Sequence, residues 1–253
     1  MIPAGDLHGA SMINAVPFRR ALAVAAALTL SRSLLGQATA TGPLTQYLKP
    51  GVDTIAVTAA AGGDPIPYAT ASRSVRSVRH AGKASLEITF RFIAKSGIKR
   101  ADTIWVDPTS LAPFESRLHN NVFDAVTVFE GSAIHTRIAP RGQAEHRIDT
   151  TVVGTLYSAE EYTELIVTAP LATGYSHTYD LYYGIPGYQV RRGTFRVLRT
   201  ESVADRRGSV VDCWVVEAVL AEGLNQVYIS VDDRRLVRVV NNADPAATIV
   251  FNW

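Results

Sequence analysis

The chain has 253 residues, 47% of them hydrophobic, with 25 lysines and arginines against 23 aspartates and glutamates and a formal charge of +2. Its single cysteine, Cys213, excludes an intramolecular disulfide framework, so a sizeable apolar core has to carry stability. The near-balance of charge also argues against a nucleic-acid footprint, which needs lysine and arginine clustered on one face.

The first 40 residues read as an export leader. Arg19 and Arg20 precede the apolar run "ALAVAAALTL", and Ala38-Thr39-Ala40 fits an A-x-A cleavage pattern, with cleavage after Ala38 or Ala40. Ten apolar residues are too few to span a bilayer, which takes about 20. Met12 offers an alternative start that gives a more usual basic leader, and no cysteine follows the apolar run to take a lipid anchor. Without residues 1–40 the basic and acidic side chains balance at 22 each, so the basicity belongs to the leader. The expected mature protein is a periplasmic or extracellular monomer over residues 41–253, with no transmembrane span and no nucleic-acid partner.

From there the hydrophobic period is two almost throughout. "YATASRSVRSVRH", the turn "HAGK" and "ASLEITFRFIA" predict a hairpin whose second strand places Leu86, Ile88, Phe90 and Phe92 on one face. In "DTIWVDPTSLAPFES", Ile104 and Val106 share a face, "DPTS" is a turn, and a return strand runs to Asn120 and Asn121. "VFDAVTVFE", "AIHTRIAP" and "EHRIDTTVV" continue the series. One segment breaks it. Ser158 and Glu161 form a capping box, and Tyr162, Leu165, Ile166 and Ala169 make a helical stripe, predicting a short helix over about 158–169 closed by Pro170. Strands then resume through "HTYDLYYG", "RGTFRVLRTESV", "SVVDCWVVEAVL", "NQVYISVDD", "RLVRVVNN" and "ATIVFNW". "DCWVVEAVL" is apolar on both faces, which predicts a central strand covered from both sides, with Cys213 as a small buried residue. The expected fold is mainly β: a strongly curved antiparallel sheet of about 10–12 strands, an unclosed or half barrel, with one short helix packed on its concave side.

The strand–turn–strand unit at residues 102–116 recurs near the C-terminus in "VYISVDDRRLVRVVN". A single offset matches Ile104 with Ile229, Val106 with Val231, Asp107 with Asp232 and Leu111 with Leu236. In each copy an aspartate would cap the turn and the apolar residue four places on would re-enter the sheet.

These hairpins, with "TAPLATGYS" and "DCWVVEA", resemble a family of exported bacterial proteins of unknown function, which is similar in turn to the periplasmic lipoprotein-localisation factors. The resemblance covers roughly residues 50–250 and rests on Trp105, Val106, Asp107, Pro170, Leu171, Gly174, Trp214, Val216 and Leu236. It implies a curved, unclosed barrel with a helix against its concave side, the face that holds acyl chains in the lipoprotein carriers. It transfers no catalytic residue, and Ser230 departs from an aromatic-rich second hairpin.

Chemistry-bearing motifs are sparse. There is no nucleophile elbow, zinc-protease helix, Walker loop or dinucleotide fingerprint. His119, His135 and His146 fall on successive strands but match no metal-ligand spacing. Asp102 with Asp107, and Asp232 with Asp233, read as paired carboxylates or as turn caps, and the caps explain Asp107 and Asp232 more simply. Tyr175, Tyr179 and Tyr183 share parity with His177 and Leu181, which suits the rim of a groove or a half-exposed sheet face. The expectation is a protein with no catalytic residue, cofactor or metal, binding an acyl chain or other amphiphile. Candidate lining residues are Phe90, Phe92, Trp105, Leu165, Ile166, Tyr179 and Trp214, unless the neighbouring parity lines the cavity. The alternative is an envelope interaction module without a ligand, and more remotely a hydrolase.

Overall fold

The computed structural model describes residues 43–184, 187–244 and 247–253; the predicted leader lies outside them. Strict alternation of apolar and polar residues builds two meanders of hairpins. The first contains β1 (Gly51–Ala60), β2 (Ile66–His80), β3 (Lys83–Ala94), β4 (Lys99–Val106), β5 (Pro113–Asn120), β6 (Phe123–Glu130), β7 (Ala133–Pro140) and β8 (His146–Thr151). Next come β9 (Leu156–Ser158), a 3-10 turn (Ala159–Glu161) and helix α1 (Tyr162–Val167). The second meander runs through β10 (Ser176–Tyr183), β11 (Gln189–Ala204), β12 (Val210–Leu220), β13 (Gly223–Ser230), β14 (Leu236–Asp244) and β15 (Ala247–Asn252). β1 pairs with β15, so both meanders join in one sheet of 15 strands, in the order β8 to β1, then β15 down to β9. The count exceeds 10–12, with β1 and the three-residue β9 among the strands that the alternating segments did not include. All pairings are antiparallel except β9 with β10, which is parallel because the helix carries the chain across between them.

Turn chemistry sets several of these hairpins. Between β2 and β3, Ala81 and Gly82 both take positive φ (48° and 79°), the two-residue turn whose twist matches the flanking strands. The β4–β5 turn is capped as expected: Asp107 Oδ1 accepts the N–H groups of Thr109 and Ser110 at 2.9 and 2.8 Å. The second copy departs from the expected alignment. The Leu111 N–H donates to Asp107 O and the Arg234 N–H to Ser230 O, and both donors have φ near +60°. Asp107 therefore corresponds to Ser230, not Asp232, and Leu111 to Arg234, not Leu236. The Ser230 hydroxyl accepts from the Asp233 N–H where Asp107 accepts from Ser110. A two-residue slip preserves strand parity, so alternation by itself cannot detect it.

The concave face carries the main core. Val75, Ile88, Ile104, Phe195, Val216, Val227 and Ile229 converge there on Leu165, Ile166 and Val167 of α1. The helix is shorter than predicted: it opens with the 3-10 turn and ends at Val167, with Thr168 closing it through a bond from its Oγ1 to Glu164 O (2.8 Å). At its start, Glu161 Oε1 accepts the Ser158 N–H at 2.7 Å, the reach-back half of the expected capping box. On the convex face Cys213 and Val215 pack with Val203, Tyr228 and Val237, and the Arg238 guanidinium lies over the Tyr228 ring. Among the described residues no second layer covers β12 there, and Val219 is exposed, so its outer face is shielded by neighbouring side chains and only in part.

Backbone pairing leaves the sheet open, but side chains close the gap. Tyr182, on the opposite parity from core residues Leu181 and Tyr183, meets the inner face of β6 and β7. Its hydroxyl bonds Thr136 Oγ1 at 2.6 Å, and Phe129 packs edge-on against its ring. Curvature brings the β6–β7 region over the end of β10, where Leu181, Tyr182 and Tyr183 are buried on both faces.

Candidate functional site

Two cavities flank the helix, and cross-strand register places them toward opposite ends of the sheet. The inner one, about 270 Å³, lies between the start of the helical segment and the concave face. Its apolar wall is made by Ile88 and Phe90 of β3, Leu220, Val239 and Phe251. Its polar wall comes from Arg100 and Asp102 of β4, Glu160 and Glu164 of the helical segment, and Glu222 and Asn225 at the β12–β13 hairpin. Arg73 and Trp253 border both cavities.

Asp102 and Asn225 are buried at positions whose parity belongs to the core: Asp102 shares a face with Ile104, and Asn225 with Val227. Burial pushes the Asp102 carboxyl up from 3.8 to about 6. The neighbouring Arg100, whose Nε donates to Asp102 Oδ2 at 2.7 Å, opposes that rise, and the charge of Glu160 adds to it. Glu222 is raised, again chiefly by burial. Glu161, beneath the first turn, is held well above the usual carboxylate range by burial, against the pull of the Ser158 N–H. Arg73 Nε donates to Glu164 Oε1 at 2.6 Å and its guanidinium reaches Asp53 at 3.5 Å, forming a charged partition between the two cavities.

Four buried side-chain polar atoms lack a partner among the described residues, and three of them belong to residues lining the inner cavity: Asp102 Oδ1, Asn225 Oδ1 and Trp253 Nε1. The fourth is Glu161 Oε2. Buried polar groups are almost always satisfied, and each exception calls for an explanation. Two acceptors and a donor around one partly apolar space make a site that can hold a small molecule with a hydrogen-bonding head.

Of the seven residues expected to line a cavity, Phe90 does so. Phe92 shares its face and packs on Phe251, with ring centroids 6.5 Å apart. Leu165 and Ile166 are fully buried beneath the helix. Tyr179 packs against Tyr157 and Phe195, and Trp214 against the same core. Trp105 corrects the expectation outright: its parity is opposite to Ile104, so it lies on the convex face. There it stacks on His80 at 4.2 Å and its indole N–H donates to Glu87. The three strand histidines do not converge. His119 pairs with Asp124, His135 with Asp149, and His146 stands in register with Ile138 on the other face.

The model for a protein family of unknown function (DUF3108) matches residues 55–247. The chain belongs to this family. Among solved structures it is similar to a β-barrel-like protein of domain of unknown function DUF1849 from Brucella abortus. That likeness has a TM-score of 0.51 and 11% identity, and covers 79% of this chain and 95% of the other. No curated protein matches the chain. At that identity the similarity concerns the barrel-like fold alone.

Proposed function

We propose that the protein is exported and binds a small amphiphile in the cavity between α1 and the curved sheet, without catalysing a reaction. The observation that carries this reading is the convergence of Asp102 Oδ1, Asn225 Oδ1 and Trp253 Nε1 on a space otherwise walled by Phe90, Val239, Leu220 and Phe251. A ligand head that donates hydrogen bonds satisfies the two acceptors, and an apolar body fills the rest. The volume suits a short amphiphile or one end of a longer acyl chain, since drug-sized sites run to roughly 300–1,000 Å³. Export is supported by the basic, apolar and small-residue succession of residues 19–40. The resemblance to lipoprotein carriers points to the same compartment and ligand class.

Native mass spectrometry of the purified protein, followed by solvent extraction, tests the reading, with lauric acid and dodecylamine as added probes. Asn225→Leu removes one orphaned acceptor at near-constant volume, so the fold should be kept or strengthened while the bound species is lost. A clean apo mass with no uptake of either probe would sink it. That result would favour an envelope interaction module, a reading supported by how fully Leu165 and Ile166 fill the interior.

A further inference from the structure

The outer cavity, about 570 Å³, has a different character. It sits where β1 begins and the β11–β12 and β13–β14 turns meet, and six cationic side chains line it: Lys49, Arg73, Arg206, Arg207, Arg234 and Arg235. Three carboxylates share the cleft, and two of the arginines occupy them. Arg235 reaches Asp205 at 3.2 Å and Asp233 at 3.6 Å, while Arg73 bridges Asp53 to Glu164. The Asp205 carboxylate is further engaged by the N–H groups of Arg207 and Ser209.

Of the remaining cations, Lys49 acts on the Asp233 carboxylate, while Arg206, Arg207 and Arg234 form no ion pair with a carboxylate among the described residues. Arg206 donates to Thr54 O at 2.9 Å, and Arg234 donates to Ala169 O at 3.0 Å while lying over the Tyr47 ring. Backbone carbonyls and a ring face orient these guanidinium groups without neutralising them. Arg234 is the most telling. It occupies the left-handed position (φ 61°) that a buried leucine holds in the equivalent β4–β5 turn. That conformation is strained for a residue that carries a side chain, and partial burial works against the charge as well. The turn tolerates both, and Ala169 O and the Tyr47 ring hold the Arg234 guanidinium at the cleft.

We propose that this cleft binds a phosphoryl-type oxyanion, with Arg206, Arg207 and Arg234 as its ligands and Lys49 adding charge. Guanidinium forks match oxyanion geometry and form charge-assisted hydrogen bonds. The anion belongs either to a soluble phosphoester or to an anionic lipid headgroup. The site is separate from the amphiphile cavity beyond the Arg73–Glu164 partition, and its existence does not depend on that cavity being occupied.

The test is isothermal titration of the purified protein with pyrophosphate, repeated for R206Q/R207Q, for Arg234→Gly and for Arg192→Gln on β11 as a distant control. The double variant changes two side chains on an exposed turn, and glycine at position 234 accepts the left-handed turn without strain. Each of the two should therefore fold while losing at least about tenfold in affinity, the scale of one charge-assisted bond. Arg192→Gln and Asn225→Leu should bind pyrophosphate unchanged, which separates this site from the amphiphile cavity. Competition by phosphatidylglycerol vesicles, and not by phosphatidylcholine vesicles, would assign the anion to a lipid headgroup. Binding that such vesicles leave untouched would assign it to a soluble phosphoester. No pyrophosphate binding, or equal affinity in R206Q/R207Q, would overturn the proposal.

Discussion

Replacing Asp102 by asparagine tests whether burial at the wall of the inner cavity governs this carboxyl. The carboxyl is raised from 3.8 to about 6, so it holds its proton more tightly in the folded chain than in the unfolded one. Its contribution to stability is fully present below about pH 4 and is lost as pH rises toward 6, because ionising it then costs more inside than outside. At 1.36 kcal/mol per pH unit, the shift from 3.8 to about 6 makes that loss about 3 kcal/mol, an order-of-magnitude figure. Asparagine mimics the protonated acid in shape and keeps a carbonyl for the Arg100 bond. Urea unfolding of both proteins across about pH 4 to 8 isolates the effect, since Glu161 and Glu222 titrate in both. The two should be about equally stable near pH 4, with the variant ahead by up to about 3 kcal/mol at neutral pH. Parallel stability curves would refute the reasoning and mean that Asp102 is solvated.

Two further substitutions probe how the sheet holds its curve. Tyr182→Phe removes the hydroxyl that bonds Thr136 across the open side of the barrel, while Thr136 keeps its bond to Thr127 at 3.0 Å. It should cost about 1 kcal/mol and speed amide exchange in β7 and β10; exchange unchanged there would mean that the seam is held by packing alone. Gly193→Ala places a Cβ 2.5 Å from Leu181 Cδ1 and 3.2 Å from Leu220 Cδ2, inside a filled core. A loss of about 1–3 kcal/mol in chemical unfolding is expected, and an undiminished midpoint would show that β10 and β12 have slack between them.

The candidate site was legible in part. Asp102 and Asn225 interrupt apolar faces, beside Ile104 in "ADTIWV" and beside Val227 in "GLNQVYIS". A polar residue at a core parity is itself a signal of a buried polar site. Trp105 alternates with Ile104 and Val106, and that parity puts it on the convex face against His80. Glu160, Glu222 and Trp253 carry no local mark, since each lies outside the regular alternation that makes parity readable.

What the sequence by itself determined is what depends on neighbours along the chain. The period of two, the Ala81-Gly82 turn, the Asp107 cap and the helical interruption are local matters of φ, ψ and alternating side chains. That long apolar faces needed cover, with a short helical segment to pack on them, follows from the same pattern. Only the tertiary structure decided how far the sheet curls. It also decided that Tyr182 would bridge the open side to Thr136, and that arginines from two separate turns would line one cleft together with Asp205 and Asp233. Those outcomes depend on sheet twist accumulated over many strands and on contacts between residues distant in the chain. Local alternation specifies which face a residue occupies, but not which distant residue it will face.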